Sequence, residues 1–219
     1  MAVLIGLGTW QVERLVWKRE LSATISARTK APPLALGGVV AHPAAMDYRR
    51  VSATGRFDHG RALYLSPRFL DGRPGAHIIT PLMRGRLPPV LVNRGWVPLD
   101  RKTPATRQAA PGQGPVTVTG IARSDFRRGL FVPDNDAAKG FWIAYDPPAM
   151  ARAMGIGAPL PLVLEADGAP NPGGLPKGAV TRIDLPNNHL GYALTWYALA
   201  TALLAVFALA HRPGQGKDS

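Results

Sequence analysis

Residues 190–210 form an unbroken run without a charged side chain, and that run decides most of what the chain can be. A helix rises about 1.5 Å per residue, so about 20 apolar residues cover the ~30 Å hydrocarbon core of a bilayer. We read the run as one transmembrane helix. Tyr192, Trp196 and Tyr197 stand near its start, where amphipathic rings settle at a membrane interface. Ala198 and Ala202 give a small-xxx-small spacing that permits close helix packing. His211, Arg212 and Lys217 follow directly. The positive-inside rule therefore predicts a C-terminus on the cytoplasmic or matrix side and puts the preceding domain on the far side of the membrane.

The N-terminus holds half of a second span. Residues 1–12 are uncharged and Glu13 is the first charge. Twelve residues make about 18 Å of helix, too short to cross alone. No basic n-region and no small-residue cleavage site marks a signal peptide. Two readings remain, a first membrane helix that lacks its beginning or a protein with one span only, and the expectation is the first. Trp10, Arg14, Trp17 and Lys18 carry that helix on to about Ala27, with the two Trp on one face, before Pro32 and Pro33 stop it.

Beyond the prolines the pattern turns to period two. Strands are predicted at 51–58, 62–65, 77–81, 90–93, 116–122, 141–145, 162–165 and 181–184, and a short helix at 147–154 with Gly155 as its C-cap. The stretch from Gly72 to Gly75 reads as a turn in which Gly75 needs positive φ or close backbone approach. The fold class expected is a mainly β domain: a small antiparallel, barrel-like sheet with one short helix, flanked by membrane helices. The organisation is then a truncated first helix with its amphipathic extension at 1–27, an outer-side β-rich domain at 28–186, a transmembrane helix at 187–211 and a cytoplasmic tail at 212–219. With 24 Gly and 22 Pro the chain is no long helical bundle, and 46% hydrophobic residues exclude a disordered basic tail.

Catalytic patterns are missing. Zero Cys excludes disulfides, iron–sulfur clusters and a thiol nucleophile. There is no Gly-x-Ser-x-Gly and no His-Glu-x-x-His, and Gln11 stands where a dinucleotide pattern begun by Gly6-Leu7-Gly8 needs its third Gly. His42, His59 and His77 read as structural or surface residues. We expect no enzyme activity. The net charge of +12 is spread over pairs such as Arg49–Arg50, Arg84–Arg86 and Arg127–Arg128. That distribution suits anionic headgroups, propionates or the acidic face of a membrane partner, and no nucleic acid is expected.

His189 differs from the other histidines because it opens the membrane helix, behind Asn187 and Asn188 that can cap it. His189, Tyr192 and Trp196 fall on one helical face. A neutral imidazole between aromatic walls can ligate a haem iron, and the same spacing suits an interfacial His that donates to a headgroup.

Five strings then occur in order. They are Leu7-Gly8-Thr9-Trp10-Gln11 with Arg14 and Trp17-Lys18; Tyr48-Arg49-Arg50-Val51 with Gly55-Arg56-Phe57-Asp58-His59; and Gly75 with Thr80-Pro81-Leu82 and Val92-Asn93-Arg94-Gly95-Trp96-Val97-Pro98. The last two are Phe131-Val132-Pro133-Asp134-Asn135 and Asn187-Asn188-His189-Leu190-Gly191-Tyr192-Ala193 with Thr195-Trp196-Tyr197. In order and spacing they resemble the Surfeit locus protein 1 family, from about Leu7 to Tyr197. The resemblance implies an assembly factor for haem–copper cytochrome c oxidase, held by two membrane helices, that binds haem A and aids its insertion into the catalytic subunit. Implied partners are that subunit, haem A synthase and the lipid bilayer. The implied place is a bacterial inner membrane with the main domain in the periplasm. His189 matches the proposed iron ligand, Tyr192 and Trp196 would form the haem wall, and Trp10, Arg14, Trp17 and Lys18 would meet the propionate side. Gly75, Asn93, Arg94, Gly95 and Asn188 belong to the matched strings as structural positions. The alternative is a haem-independent interaction protein that stabilises the same subunit during assembly.

Overall fold

A computed structural model describes residues 1–106, 114–127, 129–169, 171–180 and 186–211. The chain divides into two compact units, Ala27–Arg182 and the pair of segments Met1–Ser26 and Ile183–Ser219. The predicted strand at 181–184, Arg128 and the tail with Arg212 and Lys217 lie outside the described residues.

The larger unit is built on β1 (Leu34–Ala35), β2 (Arg50–Phe57), β3 (Leu63–Leu70), β4 (Arg73–Arg84), β5 (Leu87–Pro98), β6 (Val116–Arg123) and β7 (Val163–Ala166). Two short helices accompany them, α2 (Pro43–Met46) and α3 (Pro147–Met154). The sheet order is β1-β2-β6-β7-β5-β4-β3, and β2 also pairs with β4 through Arg56↔Met83 and Phe57↔Leu82. That extra pairing closes β2, β6, β7, β5 and β4 into a ring, a small barrel, and leaves β1 and β3 appended outside it.

The sheet is mixed, which corrects the expected antiparallel one. Five strands cannot alternate direction around a closed ring, so one neighbouring pair must run parallel. That pair is β5 with β7, in register Leu91↔Val163 and Asn93↔Glu165. The chain spends β6 and α3 on the return needed to bring a parallel strand back. β1 adds a second parallel contact on β2.

β5 and β7 read as short apolar runs because both faces are covered. Val90, Val92, Leu162 and Leu164 pack with Val51 and Leu82 in one cluster. Leu91 and Val163, on the opposite face, pack with Leu65, Ile79, Trp142 and Met150 under α3. The helix α3 has its predicted start and stop, with Pro147 in the first turn and Gly155 ending it at φ 62°; Asp146, not singled out from sequence, is its N-cap, and its Oδ1 accepts from Ala149 N at 3.0 Å. Arg61 adds a cap, donating from Nη1 to the carbonyls of Met154 (3.0 Å) and Gly155.

Residues 141–145 are not a strand. Trp142 makes only a bridge to Leu65, and Phe141 only one to Asp136. The Asn135 side chain takes the place of a neighbouring strand: its Oδ1 accepts from Ile143 N (2.9 Å) and Ala144 N (3.1 Å), and its Nδ2 donates to Ala144 O. Period-two composition survives because Trp142 is buried and its neighbours are not.

Gly75 also departs from its predicted setting. The turn is Asp71–Gly72, both at positive φ, and Gly75 lies inside β4 opposite Pro98. Close approach is what requires it: a Cβ there would overlap Val97 O and the Trp96 indole. Gly95 has φ 118°, and a Cβ would strike the Lys177 carbonyl, which accepts from Trp96 N at 2.8 Å. Arg94, between them, stacks 4.9 Å from the Phe57 ring centre and donates to His59 Nδ1 (3.2 Å) and Asn171 Oδ1 (3.2 Å).

Candidate functional site

The smaller unit holds α1 (Ala2–Lys30) as far as Ser26, together with α4 (His189–Ala210). α1 is one continuous helix of 29 residues. Among the described residues α4, with 22, is the one helix long and apolar enough to cross a membrane. Only Ala193 and Ala200 are buried along it, while Leu194, Leu203, Val206 and Phe207 are exposed. Ala198 and Ala202, the predicted small-residue pair, face outward; the seam uses Ala193 and Ala200 instead.

Three contacts order the two helices antiparallel. Thr9 Oγ1 meets Tyr197 Oη at 3.1 Å, Gln11 Oε1 meets His189 Nδ1 at 2.6 Å, and Lys18 Nζ donates to Pro186 O at 2.5 Å. The Tyr197 ring lies against Gly8. The α1 seam is therefore Gly8, Gln11, Leu15 and Lys18, at helical spacing.

The predicted residues separate into two groups. His189 and Trp196 are half-buried on the seam, Tyr192 lies exposed at its margin, and Lys18 stands at its end. Trp10 and Trp17, 50% and 47% exposed, lie on the face of α1 turned away from that seam. Arg14 goes with them, its guanidinium 4.3 Å from the Trp17 ring centre. Asn188 occupies the N-cap position of α4 but makes no side-chain cap bond. Asn187 Oδ1 is buried without a hydrogen-bond partner.

Gln11 was not among the sequence candidates. An amide oxygen only accepts, so His189 Nδ1 donates to Gln11 Oε1, and Nε2 is the ring nitrogen left outside that bond. The signal lay in Trp10-Gln11 within the first family string. Among the described residues no three His, Asp or Glu side chains cluster to hold a metal ion.

A second polar group sits in the barrel unit. Asn93, 2% exposed, donates from Nδ2 to His77 Nδ1 (3.1 Å) and to Tyr145 Oη (2.8 Å), and its Oδ1 accepts from Gly95 N (3.0 Å). Tyr145 in turn donates to Glu165 Oε1 at 2.9 Å. Burial, with the nearby Arg68 cation second, lowers the His77 pKa to about 4. Burial and the Glu165 carboxylate hold the Tyr145 hydroxyl well above its usual value. His77 is thus neutral and the chain of donors runs one way, from Asn93 through Tyr145 to Glu165. His77 is structural as expected; Glu165 and Tyr145 were missed, although an acid inside the apolar run 162–165 was a visible sign.

Residues 1–201 match the sequence profile of the SURF1 family. The chain belongs to the SURF1 family. It is 38% identical to Surfeit locus protein 1 of Mus musculus over 216 residues, covering 92% of this chain and 70% of the mouse protein. Over 213 residues it is 36% identical to the Homo sapiens protein of that name, covering 90% and 70%. The Takifugu rubripes protein is 36% identical over 217 residues, covering 92% of this chain and 89% of its own length. Both polar groups, Gln11 with His189 and the His77–Asn93–Tyr145–Glu165 chain, fall within the segment matched to the SURF1 family.

Proposed function

We propose that this SURF1-family chain is a membrane-bound assembly factor for haem–copper cytochrome c oxidase. In this reading α4 spans the inner membrane of a bacterium, with the barrel unit in the periplasm and the C-terminus in the cytoplasm. The chain receives haem A as its cargo and presents it to the oxidase catalytic subunit, with haem A synthase as the source. It catalyses no reaction of its own.

The observation that carries the reading is the Gln11–His189 hydrogen bond. Metal-ligating histidines are fixed by a partner on the other ring nitrogen, which sets the tautomer and raises ligand basicity. Gln11 Oε1 holds the proton on Nδ1 and leaves Nε2 as a donor atom for iron. The residues fit a haem in two further respects. Trp196 supplies a flat apolar wall beside His189, with Tyr192 at its edge, and the unpartnered Asn187 Oδ1 offers a buried acceptor to a cargo hydroxyl. Iron coordination is the chemistry the cargo brings. Lys18, with one N–H committed to Pro186 O, has two left for a propionate. Arg14 and the outward Trp10 and Trp17 suit headgroups better, because they lie away from the seam.

The test is the haem spectrum and haem-to-protein ratio of detergent-purified wild type, His189→Ala and Gln11→Leu from a host that makes haem A. His189→Ala should lose the haem while remaining inserted. Gln11→Leu should keep the ligand and weaken binding about 10–100-fold, the usual effect of losing a ligand's hydrogen-bond partner. Equal haem content in all three leaves the chain as a haem-independent interaction protein.

A further inference from the structure

Leu130 and Phe131 are 97% and 99% exposed, more than any other large apolar side chain among the described residues. They occupy the two central positions of a turn closed by Val132 N donating to Gly129 O at 3.1 Å, with Val132 itself 39% exposed. An apolar pair at the tip of a closed turn is a protrusion, not a face that failed to pack. Water gains nothing from holding it, and singly exposed residues elsewhere do not form such a tip. Arg127, with a side chain 89% exposed and ion-paired with Asp125 at 2.6 Å, precedes it, Arg128 follows in sequence, and the whole chain carries +12.

We propose that the Leu130–Phe131 tip inserts into the interface of an anionic bilayer and so orients the barrel unit on the membrane. The inference rests on the reading that α4 spans that bilayer. A convex apolar tip on a chain of net charge +12 matches a lipid surface, which deforms around any side chain and attracts cations to its headgroups. A protein partner would need a pocket shaped for two adjacent side chains. Two side chains alone are a weak anchor. The barrel unit, however, is joined at both ends to the unit that contains α4. That tether makes the second contact intramolecular, and a high effective concentration turns a weak anchor into a populated one.

The sequence has no Cys, so single cysteines report single positions. Leu130→Cys, Phe207→Cys and Val39→Cys are labelled with an environment-sensitive nitrobenzoxadiazole dye in the full chain. Each is reconstituted into vesicles of phosphatidylcholine and phosphatidylglycerol. Phe207 lies in α4, and Val39 is exposed elsewhere on the barrel unit. The dyes at 130 and 207 should shift to the blue and be quenched by spin-labelled lipid, that at 130 best by a headgroup-proximal label, while the dye at 39 stays aqueous. Lipid contact at 207 with an aqueous dye at 130 overturns the tip proposal and leaves the α4 reading standing. Aqueous dyes at both overturn the two together. Quenching at 39 as strong as at 130 means the unit merely adsorbs, and overturns the proposal. So does shielding at 130 that needs added oxidase catalytic subunit, which would make the tip a protein contact.

Discussion

Replacing Asn93 with alanine removes one buried side chain that serves three partners. His77 Nδ1 and Gly95 N lose their hydrogen bonds at 3.1 and 3.0 Å, in a region where Asn93 itself is 2% exposed. Tyr145 loses less, because its hydroxyl still donates to Glu165. Two orphaned buried groups at about 1–3 kcal/mol each give an expected loss of about 3–4 kcal/mol. For a domain of this size that is roughly a 10 °C fall in Tm. The assay is thermal unfolding of the full chain in mild detergent, followed by tryptophan emission, since Trp96 and Trp142 are both buried in the barrel unit. Asn93→Asp separates the hydrogen bonds from the volume. Its carboxylate still accepts from Gly95 N but cannot donate to His77, which can answer by moving its single proton to Nδ1; the new carboxylate is buried, with Glu165 one hydroxyl away, so the folded site favours taking up a proton. Stability of that variant should rise on acidification from neutrality, opposite to the wild type. An Asn93→Ala protein within 1 kcal/mol of wild type, or an Asn93→Asp protein with the wild-type pH profile, would refute the network as drawn.

Gly75→Ala should destabilise by about 1–3 kcal/mol, and Gly75→Glu by at least as much, because the added carbon meets a backbone oxygen and an indole that are both held in place. Gly37→Ala, with nothing within 4 Å of its new Cβ, is the control, and equal melting temperatures for all would count against the close-approach argument. The His77 pKa in the folded chain is about 4, below its ordinary 6.5, so the unfolded chain takes up its proton first as pH falls. Its contribution is complete above about pH 6.5 and is lost toward pH 4, at most roughly 3 kcal/mol. Wild type minus His77→Gln in urea titrations across that window isolates the effect, and a flat difference would show that His77 does not carry it.

Local pattern was enough for the membrane-length helix, the helix at 147–154 and most strands, because each depends on residues near in sequence: an uncharged run, a Pro start with a Gly stop, or alternation of Val, Ile and Thr. Asn135 shows where that logic ends. Residues 141–145 alternate like a strand, yet a single amide side chain occupies the hydrogen bonds a neighbouring strand would have used. The parallel β5–β7 pair was likewise invisible, since ring closure through Arg56↔Met83 and Phe57↔Leu82, and the odd strand number it creates, exist only in three dimensions. At the candidate site, the sequence by itself determined His189 as the ionisable residue that opens α4, with Trp196 on its face. Tertiary structure alone decided that Gln11, 178 positions away in the chain, holds its ring proton, and that Trp10, Arg14 and Trp17 turn from the seam. The physical reason is that a helical face is periodic and can be counted from sequence, whereas which face meets another helix is settled by packing, here Gly8 under the Tyr197 ring.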